Sequence, residues 1–207
     1  MPFPTTNATV ELPAINQILS SCGQAPVTTL DQTNPDVAIA YDTLLQVSRE
    51  VQAEGWTFNK EYHYEFTPNT DDEILIPNNI LQIKLTENGR NQEYDGIRRS
   101  GKLYDRQHHT FKWEDYDTWE CDIVWEFDWV DLPQPIQDFI VSRSATIVSS
   151  RIVGDNTQYQ MLQQQEAYTR AAALEYETQQ GQYTFFGHPQ GQQNYYKSYE
   201  PFQALQR

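Results

Sequence analysis

Cysteine is scarce in this 207-residue chain, which has only Cys22 and Cys121. One falls in a helical pattern and the other in a strand pattern, and two thiols make no disulfide framework. They read as buried free thiols of a protein matured in a reducing cytoplasm. Long apolar runs are missing: none approaches the roughly 20 residues of a membrane-spanning helix. The first nine residues lack the basic and apolar regions of a signal peptide. Positive charge is short too, with 14 Lys and Arg against 29 Asp and Glu and a net charge of −15. Phosphate binding is driven by Lys and Arg displacing counterions, so this balance argues against sequence-specific nucleic-acid recognition. It leaves room for a surface past which nucleic acid slides without sticking. No Cys or His residues stand at zinc spacing and no D-x-D-x-D-G calcium loop occurs, so neither metal nor cofactor is expected.

What the chain does have is a layered order. Two helical stretches bracket a β-patterned block, and a Gln- and aromatic-rich tail follows. This predicts an α+β fold in which N- and C-terminal helices form one antiparallel bundle, with a β-rich domain inserted and an extended C-terminal arm. The boundaries are 1–58 for the first helices, 59–131 for the insert, 132–180 for the last helices and 181–207 for the arm. The length suits one bundled core plus a small sheet. Ten of the fifteen excess negative charges lie in residues 61–131.

Ile15, Ile18, Leu19 and Cys22 recur at the spacing of one helix face, with Pro13 suited to the first turn and Gly23 to the stop. Asn34-Pro35 reads as an N-cap and first helical residue, followed by Val37, Tyr41, Leu44, Ser48 and Val51 along one side until Gly55. From Trp56 the apolar period shortens to that of strands. Leu81, Ile83 and Leu85 alternate with polar residues before Asn88-Gly89, a tight-turn signal, and Ser100-Gly101 is a weaker one. In 121–129, Cys121, Ile123, Trp125, Phe127 and Trp129 are expected on one strand face, and Asp122, Glu126 and Asp128 on the other, toward solvent.

Glu114, Asp115, Asp117, Glu120, Glu126 and Asp128 amid tryptophans also suit a sugar cleft. A carbohydrate-binding or glycoside-hydrolysing protein is therefore the alternative reading, although alternate residues of one strand more simply form its polar face. Ahead of this acidic strand stand Arg90, Arg98, Arg99, Lys102 and Arg106. They either pair with the acidic face of a neighbouring copy or belong to a mixed solvated surface. His108-His109 reads as an exposed turn, since adjacent strand residues point to opposite faces.

Asp131-Leu-Pro133 is expected to cap a third helix bearing Ile136, Phe139, Ile140, Arg143 and Ile147, stopped at Gly154. Asp155 or Asn156 would cap a fourth, with Met161, Gln165, Tyr168, Ala172 and Tyr176 on one side and Ala171-Ala-Ala173 thin enough for close packing. Residues 181–207 break the pattern, yet seven of these 27 are aromatic, Phe185, Phe186, Tyr195 and Tyr196 among them. Disordered tails avoid aromatics. The arm is expected on a surface of its own bundle or, preferably, of an adjacent subunit.

Several stretches, taken in order, resemble the tail tubular protein A family of short-tailed, podovirus-type bacteriophages, also called gatekeeper or head–tail adaptor proteins. They are Ala14-Ile-Asn-Gln-Ile-Leu19, Gly23-Gln-Ala-Pro-Val-Thr-Thr-Leu30, Arg49-Glu-Val-Gln-Ala-Glu-Gly-Trp-Thr-Phe-Asn59, Ile76-Pro77, Leu103-Tyr-Asp-Arg106, Leu132-Pro133 with Ile140-Val141 and Ala145, and Leu174-Glu-Tyr-Glu177 with Gly181 and Tyr183. The resemblance implies a structural virion protein without catalytic residues. It implies a subunit of a dodecameric ring between the portal protein and the tail nozzle (a tail tubular protein B-type component). The genome would pass through the ring and tail fibres attach to it. The aromatic, acidic strand at 119–131 and the Gln-rich arm depart from the family pattern. Residues expected at interfaces are Thr28, Gln32, Arg98, Arg99, Asp122, Glu126, Asp128, Phe185, Phe186, Tyr195 and Tyr196.

Overall fold

The computed structural model describes residues 8–31, 33–86 and 93–181. Helix α1 spans Ala8–Ser21 and buries Ile15, Ile18 and Leu19, as their spacing requires. Pro13 lies inside this helix and not in its first turn, because an additional turn and more of helix precede it. Its missing N–H removes one bond to the turn before. Gly23, at φ +76°, ends the helix. The Gly23 N–H donates to Ser20 O and that of Gln24 to Leu19 O, each at 3.0 Å, the paired bonds of a Schellman stop.

Helix α2, Pro35–Gln52, starts as expected: Asn34 Oδ1 accepts the Asp36 N–H at 3.1 Å, with Pro35 in the first helical position. Its buried side holds Val37, Ala40, Tyr41, Leu44, Val47 and Val51. Val47 takes the buried place expected for Ser48, whose hydroxyl instead accepts from Gln52 Nε2 at 3.1 Å.

Helix α3, Gln134–Ile152, begins at Pro133 without a side-chain cap. Asp131 is not that cap, since it closes a single 3-10 turn, Trp129–Asp131. The carbonyls of Trp129 and Leu132 both accept from Gln137 Nε2, at 2.9 and 3.0 Å. Helix α3 packs against each of the other three helices. This explains why it buries Ser142, Ser144, Thr146 and Ser149 as well as its apolar side. Ser144 and Thr146 return their hydroxyls to the carbonyls four residues back, at 2.7 and 3.0 Å. Helix α4, Asn156–Gly181, is started by Asp155, whose Oδ1 accepts the Thr157 N–H at 2.9 Å.

The packed side of α4 is not the expected one. Met161 and Tyr168 are 68% and 76% exposed, whereas Ala173 is fully buried. The contact with α3 is made around Thr169, whose hydroxyl lies 2.5 Å from that of Ser142, and around Arg170, whose guanidinium lies over the Phe139 ring. Small residues on both helices let them approach closely.

The strands are β1 (Lys60–Phe66), β2 (Ile80–Leu85), β3 (Gly96–Arg99), β4 (Lys102–Asp105) and β5 (Trp119–Trp125). β5 is central in an antiparallel sheet of order β1-β5-β2, while β3 and β4 form a separate hairpin. Ser100 and Gly101, both at positive φ, make its turn, as the sequence indicates. Asn88-Gly89 lies outside the described residues, and β2 and β3 on either side of it belong to different sheets, so no hairpin joins them. The loops close a second core of Phe66, Ile74, Ile76, Ile80, Leu85, Leu103, Trp113, Trp119, Cys121 and Ile123. Gly96 is required there: a Cβ would come within 2.9 Å of the Leu85 side chain. Both cysteines are buried free thiols, and burial, with Asp122 beside it, pushes the Cys121 thiol up to about 12.

Where α2 gives way to the insert, Gly55 sits at φ +78° with its missing Cβ 3.3 Å from Val124. Gly55→Ala is expected to lower stability by about 1–2 kcal/mol, the usual cost of a left-handed L-residue. Urea unfolding of the two proteins measures it, and an equal midpoint would show that the backbone relaxes freely there.

Candidate assembly surfaces and the joint between helices and insert

The helical body and the insert meet through two buried amides. Gln52, on the last turn of α2, faces the Phe127 backbone. Its Nε2 donates to Phe127 O at 3.1 Å, and its Oε1 accepts the Phe127 N–H at 2.7 Å. Asn59 does the same work one step later. Its Nδ2 donates to Gln52 O at 2.9 Å and Trp125 O at 2.8 Å, and its Oδ1 accepts the Trp56 N–H at 2.9 Å. Every polar atom of this joint is answered, which is what burial demands. The Trp56 ring seals it, donating from Nε1 to Val51 O at 2.7 Å. Glu177 of α4 closes the outside, accepting from the Thr57 N–H and hydroxyl. Residues 49–59, the longest stretch quoted for the family resemblance, are thus the joint itself.

The joint also corrects the acidic strand. β5 ends at Trp125: the Glu126 N–H still reaches Asn79 O at 2.7 Å, but the Phe127 backbone turns to Gln52 of α2 instead of a neighbouring strand. Asp122 therefore does not share a strand face with Glu126 and Asp128. It is half-buried and bridges strands, accepting from the His63 N–H at 3.2 Å and the Thr86 hydroxyl at 2.8 Å. The other acids disperse: Asp115 accepts from Tyr94 at 2.6 Å, Glu114 lies by Lys112 and Glu120 by His63. Trp113 and Trp119, each 1% exposed, are core residues and offer no face to a sugar.

The basic residues are engaged within the chain. Lys102 pairs with Glu73 at 2.5 Å and Arg106 with Asp95 at 2.6 Å. Arg98, half-buried, donates to Ile80 O at 2.7 Å and Asn78 Oδ1 at 3.2 Å, and Arg99 is exposed, its guanidinium 4.0 Å from the Tyr104 ring centroid. Pairing of this group with an acidic strand of a neighbour thus loses most of its cations, and Arg90 lies outside the described residues. His108-His109 does form an exposed turn. Asp105, beneath it, is buried, which alone would raise its pKa. The N–H groups of Asp95 and Gln107 and the His108 ring outweigh that and hold it low.

Of the remaining expected interface residues, Thr28 is exposed in the α1–α2 loop, which Asn16 pins by two bonds to the Val27 backbone, at 2.7 and 2.9 Å. Gln32, Phe185, Phe186, Tyr195 and Tyr196 lie outside the described residues.

Glu126 and Asp128, once out of the sheet, line a cleft of about 560 Å³ with Glu11, Tyr41, Arg49, Asn78 and Trp129. Glu11 is 6% exposed and no sequence signal marked it. A glutamate in a helix's first turns ordinarily serves the helix dipole at the surface. Burial raises its pKa, a hydrogen bond with Tyr41 offsets this in part, and Asp128 adds to the rise. The Tyr41 hydroxyl is pushed up in turn by burial and by Glu11. A carboxyl with a raised folded pKa contributes stability below its unfolded value and loses it as pH climbs through the folded one. Glu11→Gln, neutral at every pH, is therefore expected to gain on the parent in melting temperature as pH rises from about 4 to 7. A constant difference across that range would show that Glu11 titrates as in the unfolded chain.

Two hydrophobic cores joined by satisfied amides, with most described basic side chains engaged within the chain and acids left in excess, are the frame of a structural subunit. A family model described as tail tubular protein matches residues 12–183, and the chain belongs to that family. It is 28% identical over 159 residues to tail tubular protein A of Klebsiella phage KP34, a match covering 76% of this chain and 82% of that protein. The chain is thus a structural component of a bacteriophage tail, carried in the virion. No helix among the described residues is long and apolar enough to cross a membrane.

Proposed function

We propose that the chain is the adaptor, or gatekeeper, subunit of a short-tailed phage: twelve copies in a ring between the portal protein and a nozzle of tail tubular protein B type. The reading rests chiefly on the family match over residues 12–183. In it the helices 1–58 and 132–180 are the bundle, 59–131 the insert and 181–207 the arm that meets a neighbouring subunit. The genome passes through the ring without sequence-specific contact, tail fibres attach outside, and no reaction is catalysed. A net charge of −15 per copy supports this, since an acidic tunnel repels phosphates and keeps them mobile.

Electron microscopy of the purified protein and of virions tests it directly, with twelve-fold rings at the head–tail junction expected. Monomers in solution together with density elsewhere in the tail would overturn it. The α1–α2 loop is assigned to the junction. Thr28→Glu is therefore expected to leave the melting temperature within about 1 °C while reducing ring formation or attachment to portal-containing heads, as exposed substitutions cost little stability. Normal attachment would remove this loop from the junction.

A further inference from the structure

The cleft at the joint has a composition that its own chain does not complete. At its base Glu11 is more than nine-tenths buried, and its Oε2 has no hydrogen-bond partner among the described residues. Buried carboxylate oxygens are ordinarily paired, and leaving one open is costly. Toward solvent stand Glu126 and the exposed Asp128. Arg49 lies 3.7 Å from Glu126 and pairs with it. That leaves Glu11 and Asp128 without a cation within 4.0 Å among the described residues.

We propose that this cleft receives one arginine side chain from a different protein, its guanidinium directed at Glu11 and Asp128. A positive group is called for by two unneutralised carboxylates, one of which burial holds away from water. Guanidinium fits better than ammonium, because Glu11, Gln46, Asn79 and Asp128, each bearing an acceptor oxygen, line the cleft from several elements. A planar fork of five donors meets scattered acceptors where a point charge cannot. The volume, about 560 Å³, is in the range that admits a short peptide segment along with the side chain. Of this chain's own described cations, Arg49, Lys102, Arg106, Lys112, Arg143 and Arg170 are already in ion pairs and Arg98 is bonded to Ile80 O and Asn78 Oδ1, which favours a different protein as the source. The proposal draws on the assembly reading only for the idea that the arginine comes from another protein, and its test needs no ring.

Calorimetric titration of the purified full chain with acetyl-Gly-Arg-Gly-amide tests it, alongside the same peptide with citrulline or lysine in place of arginine. Saturable binding of the arginine peptide is expected, with the neutral citrulline peptide inert and the lysine peptide weaker. Glu11→Gln and Asp128→Asn should each weaken binding roughly tenfold, equivalent to about 1.4 kcal/mol. Asp128 is exposed, so its variant keeps the test standing should Glu11→Gln disturb folding. Tyr41 on α2, Arg49 and Glu126 also face the cleft, so the pH readout is comparative. Affinity should rise from acid to neutral pH in the parent and less so in Glu11→Gln. Absence of saturable binding, equal binding of the citrulline peptide, or unchanged affinity in both variants would each overturn the proposal. Equal binding of lysine would overturn the choice of guanidinium.

Discussion

Asn59→Ala is expected to destabilise the protein by about 3–5 kcal/mol, although it removes only a small polar side chain. Three backbone groups lose a bond at once: Trp125 O, the Trp56 N–H, and Gln52 O, which keeps only the Gly55 N–H. Asn59 is 1% exposed and the space is closed by Trp56, so water cannot readily take its place. Asn59→Asp separates bonding from packing. It keeps the shape and the acceptor for Trp56, but turns a carboxylate toward two carbonyls, so it should be at least as damaging. Urea denaturation followed by tryptophan fluorescence measures both. An aspartate variant as stable as the parent would mean that the joint is held by packing around Trp56 and not by the amide.

Phe139→Ala should cost a similar amount, about 3–5 kcal/mol, for a different reason. Phe139 is fully buried in the N-terminal half of α3, the helix that touches the other three, so truncation leaves a cavity that no single neighbour can fill. Arg170, whose guanidinium lies 5.2 Å from the ring centroid, offers a control. Its ion pair with Glu54 has both side chains about 40% exposed, and such pairs contribute at most about 1 kcal/mol. Arg170→Ala should therefore lose much less than Phe139→Ala. Comparable losses would show that α4 is held by Arg170 rather than by its contact along α3.

Features governed by a few adjacent residues were legible in the sequence. The Asn34-Pro35 start, the Gly23 stop and the Ser100-Gly101 turn all appear as expected, since each depends on local backbone preference. The buried face of α1 was legible too, because its apolar residues form one stripe. Helix α4 shows the limit. Its apolar residues are spread around the axis, so Met161 and Tyr168 looked as suitable as Ala173 for the packed side, and the small residues of α3 decided the matter. The cleft was hidden for a related reason. Glu11, Arg49 and Asp128 are far apart in sequence, and each alone reads as an ordinary surface charge.

The sequence by itself determined where α1 stops and where α2 and α4 start, which block would be stranded, and that both thiols would be buried, because these follow from local propensity and apolar period. It also carried the family, through residues 14–30 and 49–59. Tertiary structure alone decided that β5 lies between β1 and β2, that the acidic strand stops at Trp125, and that Asp122 parts from Glu126 and Asp128. Each of those outcomes depends on hydrogen bonds between residues distant in the chain, above all those of Gln52 and Asn59, and no local pattern encodes which distant backbone a buried amide will meet.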